Sequence, residues 1–247
     1  MSILSSILLA TLLESALSFS GVLFLILSEE RLRKFLHTIL SFAAGALLGV
    51  TFLEVLPEAL EGGETQLIMG WTLASIVLFF IIEKTIRWYH HHEDGCMPHG
   101  HSPAYLVLVG DILHNVVDGV AIALSFMIGT ELGIATTIAV LIHEIPTEMG
   151  DFMVLLQSGF SRFRALLYNF FISLSTIVAA LITYAFGPVL EPYLPLALAL
   201  VAGNFLYIAI ADVIPELQES SGWKHSMAEI ALFIVGIFVV SIGRWFE

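Results

Sequence analysis

Residues 104–128 read AYLVLVGDILHNVVDGVAIALSFMI, a run of 25 residues in which only Asp111 and Asp118 carry a formal charge. A helix needs about 20 mostly apolar residues to cross the hydrocarbon core of a bilayer. Over the whole chain, 58% of the 247 residues are hydrophobic and 13% are charged. Because soluble domains carry about 25% charged residues, this composition indicates a membrane protein.

Eight stretches of the chain have this length and apolar character. They cover residues 3–27, 35–58, 67–88, 104–128, 132–157, 165–186, 193–214 and 227–246. These stretches use most of the chain, so we expect no separate soluble domain. The sequence therefore predicts an all-α, polytopic membrane protein with eight transmembrane helices, forming a single transmembrane domain over residues 1–247.

The basic residues distinguish the two sides of this predicted bundle. Eight of the nine Lys and Arg residues lie in or beside the odd-numbered connections between spans, and Arg244 is the exception. Lys and Arg accumulate in cytoplasmic loops. We therefore expect cytoplasmic odd-numbered connections, both termini extracytoplasmic, and a location in a cell membrane, either a plasma membrane or a bacterial inner membrane.

A short pattern occurs in both the second and the seventh span. Residues 54–58 read Glu-Val-Leu-Pro-Glu and residues 212–216 read Asp-Val-Ile-Pro-Glu, each beginning nine residues after a glycine, Gly45 or Gly203. The two spans are predicted to cross the membrane in opposite directions, so the pattern indicates an inverted repeat, which is typical of secondary transporters. Spans one to three and six to eight would be the related groups, with spans four and five between them in a 3+2+3 bundle.

Spans four and five carry polar residues that are spaced three or four positions apart. They are His114, Asn115 and Asp118 on span four, and His143, Glu144, Thr147 and Glu148 on span five. Residues with this spacing share a helix face. At a rise of 1.5 Å per residue, His114 and His143 each lie roughly 15 Å from an end of their span, near the middle of a core about 30 Å thick. The two sets can therefore meet at one depth.

The carboxylates in these two spans point to a bound cation. On the insertion scale an acid at the centre of a span costs about 2.5–3.5 kcal/mol, so Asp118, Glu144 and Glu148 together would cost about 8–10 kcal/mol if they faced lipid. The two spans contain no Lys or Arg that could neutralise them. Imidazole and carboxylate ligands suit zinc, iron(II) and related ions. The sequence thus predicts a divalent metal as the substrate and no organic cofactor.

These motifs resemble the ZIP (Zrt/Irt-like protein) family of divalent metal transporters. The resemblance rests on residues 114–119, His-Asn-Val-Val-Asp-Gly, and residues 143–151, His-Glu-Ile-Pro-Thr-Glu-Met-Gly-Asp. It extends to the Leu-Pro-Glu of span two, the Phe-Leu-Tyr at 205–207 and a His-rich third connection. It implies a transporter with eight spans, metal flow towards the cytoplasm and a homodimer. Zinc is the expected ion, with iron(II), manganese and cadmium as alternatives.

The resemblance also implies which side chains hold the metal. One position would use His114 and Asp118. A second would use Asn115, Asp118, His143 and Glu144. Asn115 by itself also fits the role of a hydrogen-bonding residue between helices, so both readings stay open for it.

Thr147 departs from the family pattern. Relatives often place His, Glu or Gln there, where several of these side chains bridge two metals. A threonine hydroxyl is a weaker ligand, so one metal position is either weak or absent, or Glu148 compensates; Thr147 also fits a hydrogen-bonding role between helices. In span six, Asn169 is the polar residue implied at matching depth.

The third connection is rich in side chains that bind metals. Residues 90–101 contain five histidines and Cys96. A tract of this composition suggests weak and flexible metal capture. Residues 89–103 are therefore predicted to form a cytoplasmic His-rich loop that modulates transport without being essential to it.

Two other functions fit parts of the sequence. His143-Glu144 begins like the His-Glu-x-x-His helix of zinc metalloproteases, but Thr147 stands where the second histidine is required, which disfavours an intramembrane hydrolase. A membrane metal sensor or chaperone without flux fits the same residues as a transporter. We expect no enzymatic activity, and as partners divalent metal ions, the lipid bilayer and a second copy of the chain, but no nucleic acid.

Overall fold

The computed structural model describes residues 2–22, 29–93, 102–217 and 223–240. Within these ranges the chain is helical and contains no strand, which confirms the all-α class. We number the eight main helices of the described residues in chain order: α1 Ile3–Leu17, α2 Glu29–Val50, α3 Thr65–Glu93, α4 Ser102–Ile128, α5 Thr130–Gln157, α6 Arg162–Ala185, α7 Leu194–Tyr207 and α8 Trp223–Val239.

Shorter helical segments continue α1, α2 and α7. They are Ser18–Val22 after α1, Thr51–Val55 and Leu56–Gly62 after α2, Gly187–Leu190 and Glu191–Tyr193 before α7, and Ile208–Val213 and Ile214–Leu217 after it. In lipid, a helix satisfies its backbone hydrogen bonds within the segment. Apolar runs of this length therefore stay helical through these local changes of pitch.

The described residues contain six segments that are long and apolar enough to cross a membrane. They are Ile3–Val22, Thr38–Gly62, Thr65–Thr85, Val107–Ile128, Arg162–Ala185 and Gly187–Ala211. Helix α5 is 28 residues long but carries four acids, and the apolar part of α8 is the shorter segment Ser226–Val239. The chain is thus a multi-span membrane protein, while the count of eight spans stays a prediction.

The predicted His-rich loop is only partly covered by the structure. Helix α3 continues to Glu93 and α4 begins at Ser102, so helices take in both ends of the predicted 89–103 segment. Residues 94–101, with Cys96 and two of the five histidines, lie outside the described residues.

Helices α4 and α5 form an antiparallel hairpin with Gly129 as the single residue between them. The hydroxyl of Thr136 donates to Ser125 Oγ at 2.9 Å. Farther along, His114 of α4 meets His143 of α5. The two helices run in opposite directions from Gly129, so residues at similar distances from this turn lie beside each other. The polar residues of the two spans therefore lie at one depth.

The outer helices pack in two matching pairs. Helix α2 lies along α8, and α3 lies along α7. The proposed repeat relates α2 to α7 and α3 to α8. It therefore relates the α2–α8 pair to the α7–α3 pair, as observed. Helix α1 contacts α4, α5 and α6, so it reaches the central hairpin.

The two glycines of the repeated pattern occupy equivalent contacts. A Cβ added at Gly45 would lie 2.0 Å from the carbonyl oxygen of Phe233 on α8. A Cβ added at Gly203 would lie 2.4 Å from the carbonyl oxygen of Thr72 on α3. Small residues allow helix backbones to approach closely in membranes. Each glycine therefore permits one of the two matching helix pairs.

A π-helical turn precedes the proline in both copies of the pattern. The N–H of Leu56, just before Pro57, donates to the carbonyl of Thr51, and the N–H of Ile214, just before Pro215, donates to the carbonyl of Ala209. A proline has no N–H and therefore interrupts the i→i−4 hydrogen bonds of an α-helix. A π-helical turn is one way in which a helix accommodates such an interruption. These matches support an inverted repeat, which remains a prediction about the whole bundle.

Candidate metal centre

Four side chains of the α4–α5 hairpin converge on one point. The group consists of His114 and Asp118 on α4 and His143 and Glu144 on α5, each with one ligand atom within 4.8 Å of the others. Asp118, His143 and Glu144 are buried, while the side chain of His114 is 19% exposed. The structure thus brings together two imidazoles and two carboxylates from the residues that the sequence singled out.

Four of the distances within this group are close to those of a four-coordinate zinc site. The two Nε2 atoms of His114 and His143 are 3.0 Å apart. Asp118 Oδ2 lies 3.3 Å from His143 Nε2 and 3.6 Å from His114 Nε2, and Glu144 Oε2 lies 3.5 Å from His114 Nε2. Zinc bonds to nitrogen and oxygen are about 2.0–2.2 Å long, which places neighbouring tetrahedral ligands about 3.3–3.5 Å apart. These four contacts are therefore close to the spacing of ligands around one ion, and all four ligand atoms lie within 4.8 Å of one another.

The carboxylates of this group lack the partners that buried acids normally have. None of the four oxygens of Asp118 and Glu144 accepts a hydrogen bond from a described residue, although both side chains are fully buried. Their basic neighbours in the described parts of the chain are the two histidines. Because an unpaired buried charge is strongly unfavourable, these orphaned oxygens fit a bound cation.

A backbone contact orients the imidazole of His143. Its Nδ1 lies 3.0 Å from the carbonyl oxygen of Ala139, one turn earlier on α5. A carbonyl only accepts, so Nδ1 carries the proton in this contact and Nε2 keeps a lone pair. Ligands of metals are commonly oriented by such a bond from the other ring nitrogen. His143 Nε2 therefore faces the group in a form that can bind a metal.

Asn115 and Thr147 lie next to the four-residue group but make other contacts. Asn115 Nδ2 donates to Asp111 Oδ1 at 2.6 Å, and Asn115 Oδ1 accepts from Thr176 of α6 at 2.8 Å. The hydroxyl of Thr147 donates to the carbonyl of His143 on its own helix at 3.0 Å. In this arrangement Asn115 links α4 to α6, and the Thr147 hydroxyl bonds to α5 itself.

Glu148 and Asn169 form a separate buried pair. Asn169 Nδ2 donates to Glu148 Oε2 at 2.7 Å and to the backbone carbonyl of Glu148 at 3.1 Å. Both side chains are fully buried. The structure therefore places Asn169 of α6 against Glu148 rather than within the group of four.

We expect Asn169→Ala to destabilise the protein, because it removes both N–H donations to Glu148. Leaving a buried acceptor without its donor costs about 1–3 kcal/mol, and the loss is read as a lower thermal midpoint in detergent. In a Glu148→Gln background the same substitution should cost less, since the acceptor is then already replaced by an amide, which can donate as well as accept. An equal loss in both backgrounds would contradict a direct role for this pair.

The structure adds a carboxylate that lies outside the motifs of the fourth and fifth spans. Glu14 of α1 is fully buried and accepts from the hydroxyl of Thr176 at 2.9 Å, and Thr176 also contacts Asn115. Its sequence signal was a single charged residue within the otherwise uncharged segment 3–22. A lone acid deep in a span is a functional candidate by itself.

Comparisons with known proteins agree with this picture. A family model described as ZIP Zinc transporter matches residues 4–105 and 98–243. The chain is 34% identical over 230 residues to "Zinc transporter ZIP13" of Pongo abelii, covering 85% of this chain and 67% of that protein. It is 32% identical over 247 residues to "Zinc transporter YKE4" of Saccharomyces cerevisiae, with 85% and 70% covered. It is 31% identical over 284 residues to "Zinc transporter zipt-7.1" of Caenorhabditis briggsae, with 90% and 72% covered.

The family match covers nearly the whole chain, including the hairpin that carries the two histidines and two carboxylates. It confirms the resemblance found in the motifs of the fourth and fifth spans. This membrane protein belongs to the ZIP zinc transporter family.

Proposed function

We propose that this protein carries a divalent metal cation, zinc first, across a membrane towards the cytoplasm. The ion would bind the four-residue group of His114, Asp118, His143 and Glu144 at the middle of helices α4 and α5. The observation that carries this proposal is a set of four buried carboxylate oxygens that accept no hydrogen bond from the described residues, grouped with two imidazoles so that one ligand atom of each side chain lies within 4.8 Å of the others.

Zinc is favoured by both the donor set and the relatives. Two imidazoles and two carboxylates suit zinc, iron(II) and manganese, and the absence of a thiolate from this group fits a site that must release its cargo. The similar proteins from ape, nematode and yeast are named zinc transporters. Iron(II), manganese and cadmium remain alternatives, because selectivity among these ions depends on geometry.

The direction and topology belong to the same proposal. Eight transmembrane helices related by an inverted repeat would surround the site, with both termini extracytoplasmic in a cell membrane. The equivalent glycine contacts and π turns of α2 and α7 support the repeat. The concentration of basic residues in odd-numbered connections supports the orientation. We also propose that the protein forms a homodimer, as the family resemblance implies.

The remaining polar residues of the hairpin would act around this centre. Asn115 of α4 would connect the site to α6, because its Oδ1 accepts a hydrogen bond from the hydroxyl of Thr176. Glu148, held by Asn169, would be a further carboxylate one helical turn after Glu144 on α5. Thr147 would contribute little as a ligand, since its hydroxyl bonds to the backbone of its own helix.

Reconstitution into liposomes with a trapped zinc-sensitive dye tests the proposal. We expect the dye to respond when zinc is added outside, at a rate that saturates with zinc concentration, and we expect no response in liposomes without protein. A metal sensor or an intramembrane hydrolase would bind zinc without producing this flux. Zinc binding by the purified protein with no dye response would therefore rule out the transport function.

A further inference from the structure

A groove of about 430 Å³ runs between α1 and α5. Leu9 and Leu13 line it on α1, and Ile134, Ile138 and Leu141 line it on α5. Residues that are three or four positions apart share a helix face. Each of the two helices therefore turns one apolar stripe towards the groove.

The groove is open on one side, although α1 and α5 are neighbours in the bundle. Leu9 and Leu13 are each 49% exposed, and Ile134 is 50% exposed. The residues from Ile3 to Val22 are long and apolar enough to cross a membrane. The open side of the groove therefore meets the hydrocarbon of the bilayer, and a molecule enters it from the lipid.

Small residues make room for this groove. Ala10 lines it and is 4% exposed, so a larger side chain at this position would take up part of the space. A Cβ added at Gly133 would lie 2.2 Å from the ring of Phe126, which also lines the groove. Gly133 thus lets α4 add an aromatic ring to the walls that α1 and α5 form.

The length of the groove matches one leaflet of the bilayer. Its lining on α5 extends from Thr130 to Leu141, which is about 16 Å at a rise of 1.5 Å per residue. Half of a hydrocarbon core about 30 Å thick is about 15 Å. Thr130 is the first residue of α5, next to the turn at Gly129. The groove therefore spans the leaflet on the side of this turn.

The groove suits an acyl chain better than water. A buried water needs two to four polar partners, but the hydroxyl of Thr137, which lines the groove, already donates to the carbonyl of Gly133 at 2.6 Å. An empty groove would forfeit dispersion contacts along both apolar stripes. Residues 1–28 and 102–161 contain no Lys or Arg, so α1, α4 and α5 offer no basic partner to an anionic headgroup.

We propose that the groove between α1 and α5 is a binding site for one acyl chain of a phospholipid, in the leaflet next to the turn at Gly129. Lipid tails are as apolar as leucine, so burial alone does not favour this site over the surrounding bilayer. The chain is instead held by packing against walls from three helices. This site is independent of the transport function.

Photochemical labelling of the full chain in detergent micelles tests this site. The probe is a phosphatidylcholine that carries a diazirine midway along one acyl chain, and the labelled residues are mapped by mass spectrometry. We expect the label on residues 6–13 and 130–141 to saturate as the mole fraction of probe rises. Phe171, Val178 and Ile182 of α6 are exposed outside the groove, and their label should rise linearly.

Ala10→Phe fills the groove and should lower the saturable label at least about tenfold, which corresponds to about 1.4 kcal/mol of binding. Ala185→Phe is the matched control, because Ala185 is exposed at the end of α6 and lies outside the groove. It should keep the label within about twofold of wild type, as an exposed substitution has small effects. If Ala10→Phe does not elute as a folded protein, Ile134→Trp at a half-exposed position replaces it.

Competition with unlabelled lipids separates recognition of the chain from recognition of the headgroup. Anionic phosphatidylglycerol should displace the probe no better than phosphatidylcholine does, because no Lys or Arg lies in the segments that form the groove. Stronger displacement by phosphatidylglycerol would show an anionic headgroup site instead. A label on residues 6–13 and 130–141 that rises linearly, or that persists in a folded groove-filling variant, would also overturn the acyl-chain site.

Discussion

Asp118→Asn is expected to reduce zinc uptake into liposomes by at least about 100-fold. Asp118 Oδ2 lies 3.3 Å from His143 Nε2 and 3.6 Å from His114 Nε2, so it contacts both imidazoles of the group. Loss of an outer-shell partner already lowers metal affinity about 10–100-fold, and loss of a direct ligand is more severe. The amide is nearly the same size as the acid, so the packing around position 118 is retained.

Glu131→Gln is the matched control for this substitution. Glu131 is an exposed acid in the first turn of α5, on the same hairpin. It should leave uptake within about twofold of wild type, since exposed surface substitutions have small effects. Both variants are compared at equal reconstituted amounts, after size-exclusion chromatography shows that they are folded. Uptake above half of wild type in Asp118→Asn would remove Asp118 from the transport site.

Gly45→Ala is expected to lower the thermal midpoint of the protein in detergent by about 5–10 °C. The added Cβ would lie 2.0 Å from the carbonyl oxygen of Phe233 and 3.1 Å from the backbone N of Ile237, so α2 and α8 must move apart. Backbone atoms cannot turn aside as a flexible side chain can. Overpacking of this kind typically costs about 1–3 kcal/mol, and one kcal/mol corresponds to about 2–4 °C in a chain of this size.

Gly70→Ala provides the control for the same chemical change. Gly70 also lies inside a helix, α3, but a Cβ there would meet no atom of the described residues within 4 Å. Alanine favours the helix over glycine by about 1 kcal/mol, so the midpoint should stay the same or rise. Equal losses in the two variants would show that close contact between α2 and α8 does not stabilise the bundle.

The membrane helices could be predicted from the sequence because their signal is local. A run such as 193–214 is apolar over the thickness of a bilayer, and its backbone bonds to itself. The structure finds a candidate span at Gly187–Ala211, slightly earlier in the chain. The difference arises because short helical segments precede α7 and add to its length. Such end effects depend on capping and packing that hydropathy does not report.

The four-residue group was also accessible from the sequence. Spacing put His114 and Asp118 on one face of α4, and depth put His143 and Glu144 at the same level of α5. The resemblance implies Asn169 of α6 at a matching depth, and in the structure its Nδ2 donates to Glu148. Depth gives the height of a residue in the membrane but not its direction around the helix axis.

The sequence by itself determined that this protein is a helical membrane protein, which residues share a helix face, and that the acids within its spans would be costly in lipid. Each of these follows from neighbours within one or two helical turns and from the cost of charge in lipid. Only the tertiary structure decided that Glu14 reaches Thr176, 162 positions away, and that Thr176 also contacts Asn115. Helix–helix packing sets such contacts through close approaches like that of Gly45, and a lone acid in an apolar run does not reveal which helix it will face.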